Sequence, residues 1–108
     1  MIALALALLA QVPVPSPAPV QGQPAKEIFE KRCTLCHGAD GRSQTRKGRQ
    51  YKAPDFTSAK WQNSTTDEEI ADAITNGVPK TKMASFREKL SQEQIRALIP
   101  YLRAFGKK

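Results

Sequence analysis

After an unbroken apolar run from Met1 to Ala10, apolar positions along the chain recur only in short sets at helical spacing. Ala25, Ile28, Phe29, Arg32, Cys33 and Cys36 share one face, which predicts a first helix from near Ala25 to Cys36. Pro24 suits its first turn, where a backbone N–H has no partner to lose. Gly38 and Gly41, with Ala39 and Asp40 between them, then end the regular structure. A second helix opens at Thr66, where Glu69 three positions on matches a capping box and Asp67 and Glu68 suit the positive end of the helix dipole. Ile70, Ala73 and Ile74 form its buried face, and Gly77 followed by Pro79 stops it. A third helix opens at Ser91, with Gln94 completing the box, carries Ile95, Leu98, Ile99 and Leu102 toward the core, and ends near Phe105. Pro100 falls inside it without the N–H that would bond the Arg96 carbonyl, a defect of about 3 kcal/mol in a regular interior, so a kink or loose turn is expected there. No strand has comparable support. The predicted fold is all-α, three main helices joined by long loops.

The run Met1 to Ala10 resembles the hydrophobic part of a secretory signal, with small residues at Ala7 and Ala10 where cleavage would fit. It is too short to span a bilayer, which takes roughly 20 apolar residues, and no Lys or Arg precedes it. Residues Gln11 to Pro24 follow, with Pro13, Pro15, Pro17, Pro19 and Pro24 set among Val, Ser, Ala and Gln. Such a segment favours polyproline II and has nothing to pack, so it reads as a semi-rigid linker. Kept behind an uncleaved anchor, its roughly 14 residues at about 3.1 Å each would act as a tether reaching about 40 Å. The folded domain is then expected at residues 25–108.

Charge begins only after this linker. The chain has 108 residues, enough for one domain, and all 17 basic and 10 acidic side chains, hence the net +7, lie from Lys26 onward. A domain that small buries only about 60 to 65% of the surface its unfolded chain exposes, and is marginal without a staple.

The staple is suggested by one pentapeptide. Both cysteines and the single histidine of the chain fall in Cys33-Thr34-Leu35-Cys36-His37, the attachment sequence of a c-type haem. Thiols can add across the two vinyl groups of haem, so two cysteines three positions apart can hold both sides of the macrocycle. His37 then falls beneath the iron and can ligate it as a neutral imidazole, its other N–H bonded to a backbone carbonyl. Cys33 and Cys36 read as thioether anchors. Structural zinc would need four ligands, and no second Cys pair or second histidine exists to supply them. A thioredoxin-like pair would need a βαβ setting. A plain disulfide in an exported protein is the remaining alternative, but it does not call for the histidine that follows.

With Cys and His used up, the other face of the iron must take another residue, water or nothing. Apart from Met1 the chain has one methionine, Met83, in the loop Val78-Pro79-Lys80-Thr81-Lys82-Met83-Ala84-Ser85-Phe86. A thioether among lysines gains little from water and is more simply turned inward, either to fill a core gap or to ligate the iron. His/Met ligation would raise the reduction potential and leave no open coordination site.

On these residues the chain resembles a bacterial class I monohaem cytochrome c, over nearly all of residues 25–105. The resemblance implies a small cytochrome c fold around one covalent haem c and its iron, with Cys33 and Cys36 as anchors and His37 and Met83 as ligands. Phe29, Leu98 and Tyr101 resemble the family's contact between its first and last helices. Ala25 stands where a glycine often lets those helices approach, which implies a slightly wider crossing. Ala84 follows Met83 where the family commonly has proline, so the ligand loop has less built-in stiffness and loss of the methionine should be easier. Ala53 to Thr57 is similar to a stretch in many small bacterial members, where Pro54 would help place the backbone that supports His37. Trp61 resembles an indole that donates to a haem propionate in some relatives, and reads equally as a half-buried core aromatic.

Function follows as an expectation. Arg42, Arg46, Lys47, Arg49 and Lys52 lie between Gly41 and Pro54 without an acidic residue, and Lys80 and Lys82 precede Met83. Brought to the haem edge, as the resemblance implies, they would form a positive rim that steers the protein to an acidic redox partner such as an oxidase or dehydrogenase. Attraction to anionic lipid is the alternative use of that charge. No recognised nucleic-acid-binding pattern accompanies it, so no nucleic acid is expected. The expected activity is one-electron transfer between larger redox complexes by a monomer with no catalytic residue. Its location would be the periplasm or the outer face of the cytoplasmic membrane, where bacteria attach haem covalently. The alternative is a five-coordinate haem c protein that senses a small gas or acts on peroxide.

Overall fold

The computed structural model describes residues 23–107; the apolar run 1–10 and linker residues 11–22 lie outside them. Among the described residues six helices follow in order: α1 (Gln23–Arg32), α2 (Thr34–His37), α3 (Arg46–Tyr51), α4 (Ala59–Ser64), α5 (Asp67–Asn76) and α6 (Gln92–Phe105). There is no strand among the described residues, so the fold is all-α as expected.

The two helices that announce themselves most clearly form as predicted. The Thr66 hydroxyl accepts from the Glu69 N–H at 3.0 Å and Glu69 Oε1 accepts from the Thr66 N–H at 2.8 Å. Ser91 and Gln94 repeat the exchange at the start of α6, at 3.0 and 2.8 Å. Each box satisfies two of the amide donors that a helix start leaves without partners. Helix α5 stops at Gly77, and α6 runs unbroken through Pro100 to Phe105. Pro100 and Arg96 are exposed, so water can serve the carbonyl that the proline leaves unbonded. The expected disturbance therefore does not end the helix.

The first predicted helix is divided. Cys33 takes a turn conformation, φ −118° and ψ −24°, between α1 and α2. Its N–H still donates to the Phe29 carbonyl at 2.9 Å, and the His37 N–H donates to the Cys33 carbonyl at 3.0 Å. The hydrogen-bonded spine thus continues through the turn that separates α1 from α2. Helices α3 and α4 are departures from the three-helix expectation. They are six residues each and mostly polar, started by Thr45 and Ser58, whose side chains accept from the N–H groups of Gly48 and Trp61.

The core is the seam where α1 meets α6 and α6 meets α5. Phe29, Ile95 and Leu98 are its largest fully buried side chains, and Ala25 is buried beside them. The ring of Phe29 lies 5.2 Å from Tyr101 and 5.3 Å from Phe105, the contact anticipated between the first and last helices. Burying one such side chain contributes about 1.5–3 kcal/mol. The same aromatic layer continues through Phe56 to Trp61 and to His37, so the packing that joins the helices also forms the wall of the site.

Candidate haem site

Cys33 and Cys36 are free, half-buried thiols on either side of the first turn of α2, and His37 follows at its buried end. Burial pushes the Cys33 thiol up to about 11. At neutral pH it is therefore protonated, and protonated thiols are poor nucleophiles toward a neighbouring disulfide or oxidant. His37 is only 9% exposed. Burial holds its proton affinity below that of an ordinary imidazole, and the Pro54 carbonyl only partly opposes this. The ring is thus neutral near pH 7, the form that ligates a metal.

The loop from Gly38 to Phe56 is pinned to the end of this helix. The Ser43 N–H donates to the His37 carbonyl at 2.8 Å, and the Ser43 hydroxyl donates to the Pro54 carbonyl. Thr45 Oγ1 donates to the Cys36 carbonyl at 2.8 Å while accepting from the Gly48 N–H at 2.8 Å. Gly48 is required here. A Cβ at that position would collide with the Cys36 carbonyl and reach 2.5 Å from that of Ser43. The ring of Phe56 stacks on His37 with centroids 4.5 Å apart and planes at 23°.

His37 Nδ1 is buried and no group among the described residues reaches it with hydrogen-bonding geometry. The Pro54 carbonyl, which also accepts from the Ser43 hydroxyl, lies beside the ring and raises its proton affinity as an acceptor does. Pro54 therefore stands beside His37, as its sequence context suggested. A buried neutral imidazole beside the Pro54 carbonyl, next to two free thiols and an aromatic wall, fits a covalently held haem with nitrogen ligation of its iron.

Met83 lies in the loop between α5 and α6, half-buried against the same core on which Cys33 packs. Trp61 meets Phe56 in a tilted contact, centroids 4.8 Å apart and planes at 53°, in keeping with a half-buried core aromatic. The two basic stretches converge: Lys47 Nζ lies 5.5 Å and Lys82 Nζ 5.9 Å from the centroid of the Tyr51 ring. Sequence reasoning missed Ser43, Thr45, Gly48 and Tyr51. Only the threonine three positions before Gly48, a helix-capping pattern, could have signalled any of them.

Comparison with known proteins agrees with this geometry. The family described as cytochrome c oxidase, cbb3-type, subunit III matches residues 20–102. The solved c-type cytochrome KustC0563 is 38% identical, with a TM-score of 0.70 over 75% of this chain and 95% of its own. A tyrosine-to-phenylalanine mutant of the same cytochrome gives 40% identity and a TM-score of 0.69 over 75% and 96%. A chain of the reducing HAO-like protein complex Kustc0457/Kustc0458 of Kuenenia stuttgartiensis is 26% identical, with a TM-score of 0.63 over 79% of this chain and 42% of its own. No curated protein sequence matches. The chain belongs to the family described as cytochrome c oxidase, cbb3-type, subunit III, and is a small c-type cytochrome, a haem protein of electron transfer.

Proposed function

We propose that the protein is a one-electron carrier whose haem is anchored by Cys33 and Cys36 and whose iron is ligated by His37 and Met83. The observation that carries this reading is the buried, neutral His37 directly after two free thiols, closed over by the Ser43–Thr45 loop. When bound, the haem supplies reversible one-electron redox chemistry at its iron. The chain's part is to orient and to shield. The turn at Cys33 and the short α2 that follows carry both thiols and the imidazole, Phe56 stacks on the His37 ring, and the core at the α1–α6 seam packs behind them. Met83 would close the remaining coordination position, which leaves the protein without a site for substrate.

Docking is assigned to the basic surface around Tyr51, where Lys47 and Lys82 meet. We assign it an acidic redox partner, an oxidase or dehydrogenase. Likeness to a chain of a reducing HAO-like complex supports work against a larger redox assembly. The apolar start of the chain supports export to the periplasm or the outer face of the cytoplasmic membrane, free or tethered.

Intact mass of the purified protein tests the attachment. One haem should remain after acid extraction, and Cys33→Ser with Cys36→Ser should abolish it. An optical spectrum tests the ligation. A methionine–iron charge-transfer band in the ferric protein that vanishes in Met83→Ala supports the carrier, whereas high-spin bands in the wild type overturn it.

A further inference from the structure

We infer that the hydroxyl of Thr81 is the positioning group for Met83, holding the ligand loop in place where no proline follows the methionine. This rests on the reading that Met83 ligates the iron. The loop from Val78 to Met83 is closed on itself by four hydrogen bonds, and Thr81 makes three of them. Its N–H donates to the Val78 carbonyl at 3.1 Å, and its Oγ1 donates to the same carbonyl at 2.8 Å. The Met83 N–H in turn donates to Thr81 Oγ1 at 3.1 Å. The fourth joins the ends directly, from the Val78 N–H to the Met83 carbonyl at 3.2 Å.

One oxygen thus ties the start of the loop to the methionine, as donor to one and acceptor from the other. Neighbouring contacts fix what the ring is tied to. Gly77, at φ +76°, leaves no room for a side chain, since a Cβ there would lie 2.8 Å from the Met83 carbonyl. Beyond the methionine, the Ser85 hydroxyl donates to the Thr75 carbonyl at 2.6 Å and the Phe86 N–H to the Ile74 carbonyl at 2.9 Å. Both Met83 backbone groups are therefore held within the loop, and the loop is held to the end of α5. Thr81 is exposed while Met83 is half-buried. The threonine side chain accordingly has little packing to contribute, and its hydroxyl is what it brings.

The test compares Thr81→Val, which keeps the shape and removes the hydroxyl, with Thr81→Ser, which keeps the hydroxyl. Imidazole is titrated into the ferric holoprotein as a competitor for the methionine position, and the methionine–iron charge-transfer band is followed. In Thr81→Val, imidazole should bind about tenfold more tightly, the expected effect of losing two modest hydrogen bonds, and the band should weaken. Thr81→Ser should stay within about twofold of wild type. Unchanged imidazole affinity in Thr81→Val overturns the inference, and loosening in Thr81→Ser alone overturns it in favour of packing by the methyl group, which valine keeps and serine lacks. Failure of the underlying reading looks different: the wild type then has no such band, and Met83→Ala leaves the spectrum unaltered.

Discussion

Gly48 shows how a single residue without a side chain can govern the site. Its Cα sits where the start of α3 presses on the end of α2, and any Cβ would meet the carbonyls of Cys36 and Ser43. Those are backbone atoms on the pinned segment that carries His37, so they have little room to move. Gly48→Ala should therefore destabilise the holoprotein by about 1–3 kcal/mol or more, the range for overpacking. Denaturant unfolding followed through haem absorbance measures it; a midpoint equal to wild type would show that the segment yields freely. At this scale the sequence was legible where chemistry is local. Cys33, Cys36 and His37 are contiguous, and their bond-forming capacity does not depend on the fold. Gly48, Ser43 and Thr45 act through partners up to eleven positions away, and nothing in their own neighbourhood records that.

Elements divide the same way. Helices α5 and α6 carry their start signals as side chains three positions apart, so their openings could be read to the residue. Helices α3 and α4 are short, polar and held by contacts to other parts of the chain, and periodicity does not reveal them. What fastens α4 to α6 is a further nonlocal device. The Arg103 guanidinium donates to Asp67 Oδ1 at 2.9 and 3.0 Å, to the Gln62 carbonyl and Oε1 at 3.0 and 2.9 Å, and to the Thr65 carbonyl at 2.7 Å. Gln62 Nε2 meanwhile donates to the carbonyls of Phe56 and Leu102, at 2.8 and 3.0 Å. The Asp67 pairing is well exposed and adds little as a charge interaction. The planar fork reaching two backbone carbonyls is the larger contribution, and an ammonium cannot reproduce it. Arg103→Lys should thus cost about 1–3 kcal/mol despite keeping the charge, whereas Asp67→Asn should cost less than about 1 kcal/mol. Equal losses in urea unfolding would mean that charge rather than geometry fastens the helices.

For the whole molecule the deciding quantity is where the net +7 lies. Cations spread evenly over a surface raise attraction to any polyanion without orienting it, but here two stretches far apart in sequence meet over one ring, Lys47 from α3 and Lys82 from the Met83 loop. Charge gathered on one face steers an encounter, because the field of neighbouring cations adds within a Debye length of about 10 Å at 0.1 M salt. Electron exchange with an acidic redox protein should slow as salt rises, by about tenfold or more where encounter is limiting. Reversing both lysines, Lys47→Glu with Lys82→Glu, should slow it at low salt and flatten the salt dependence. Reversing Lys26 and Lys31 on α1 changes the net charge equally but leaves the Tyr51 surface alone, and should keep most of the salt dependence. Stopped-flow rates for the two variants across a salt series decide between steering and bulk attraction. If the pairs behave alike, only net charge matters and the Tyr51 surface has no special part in docking.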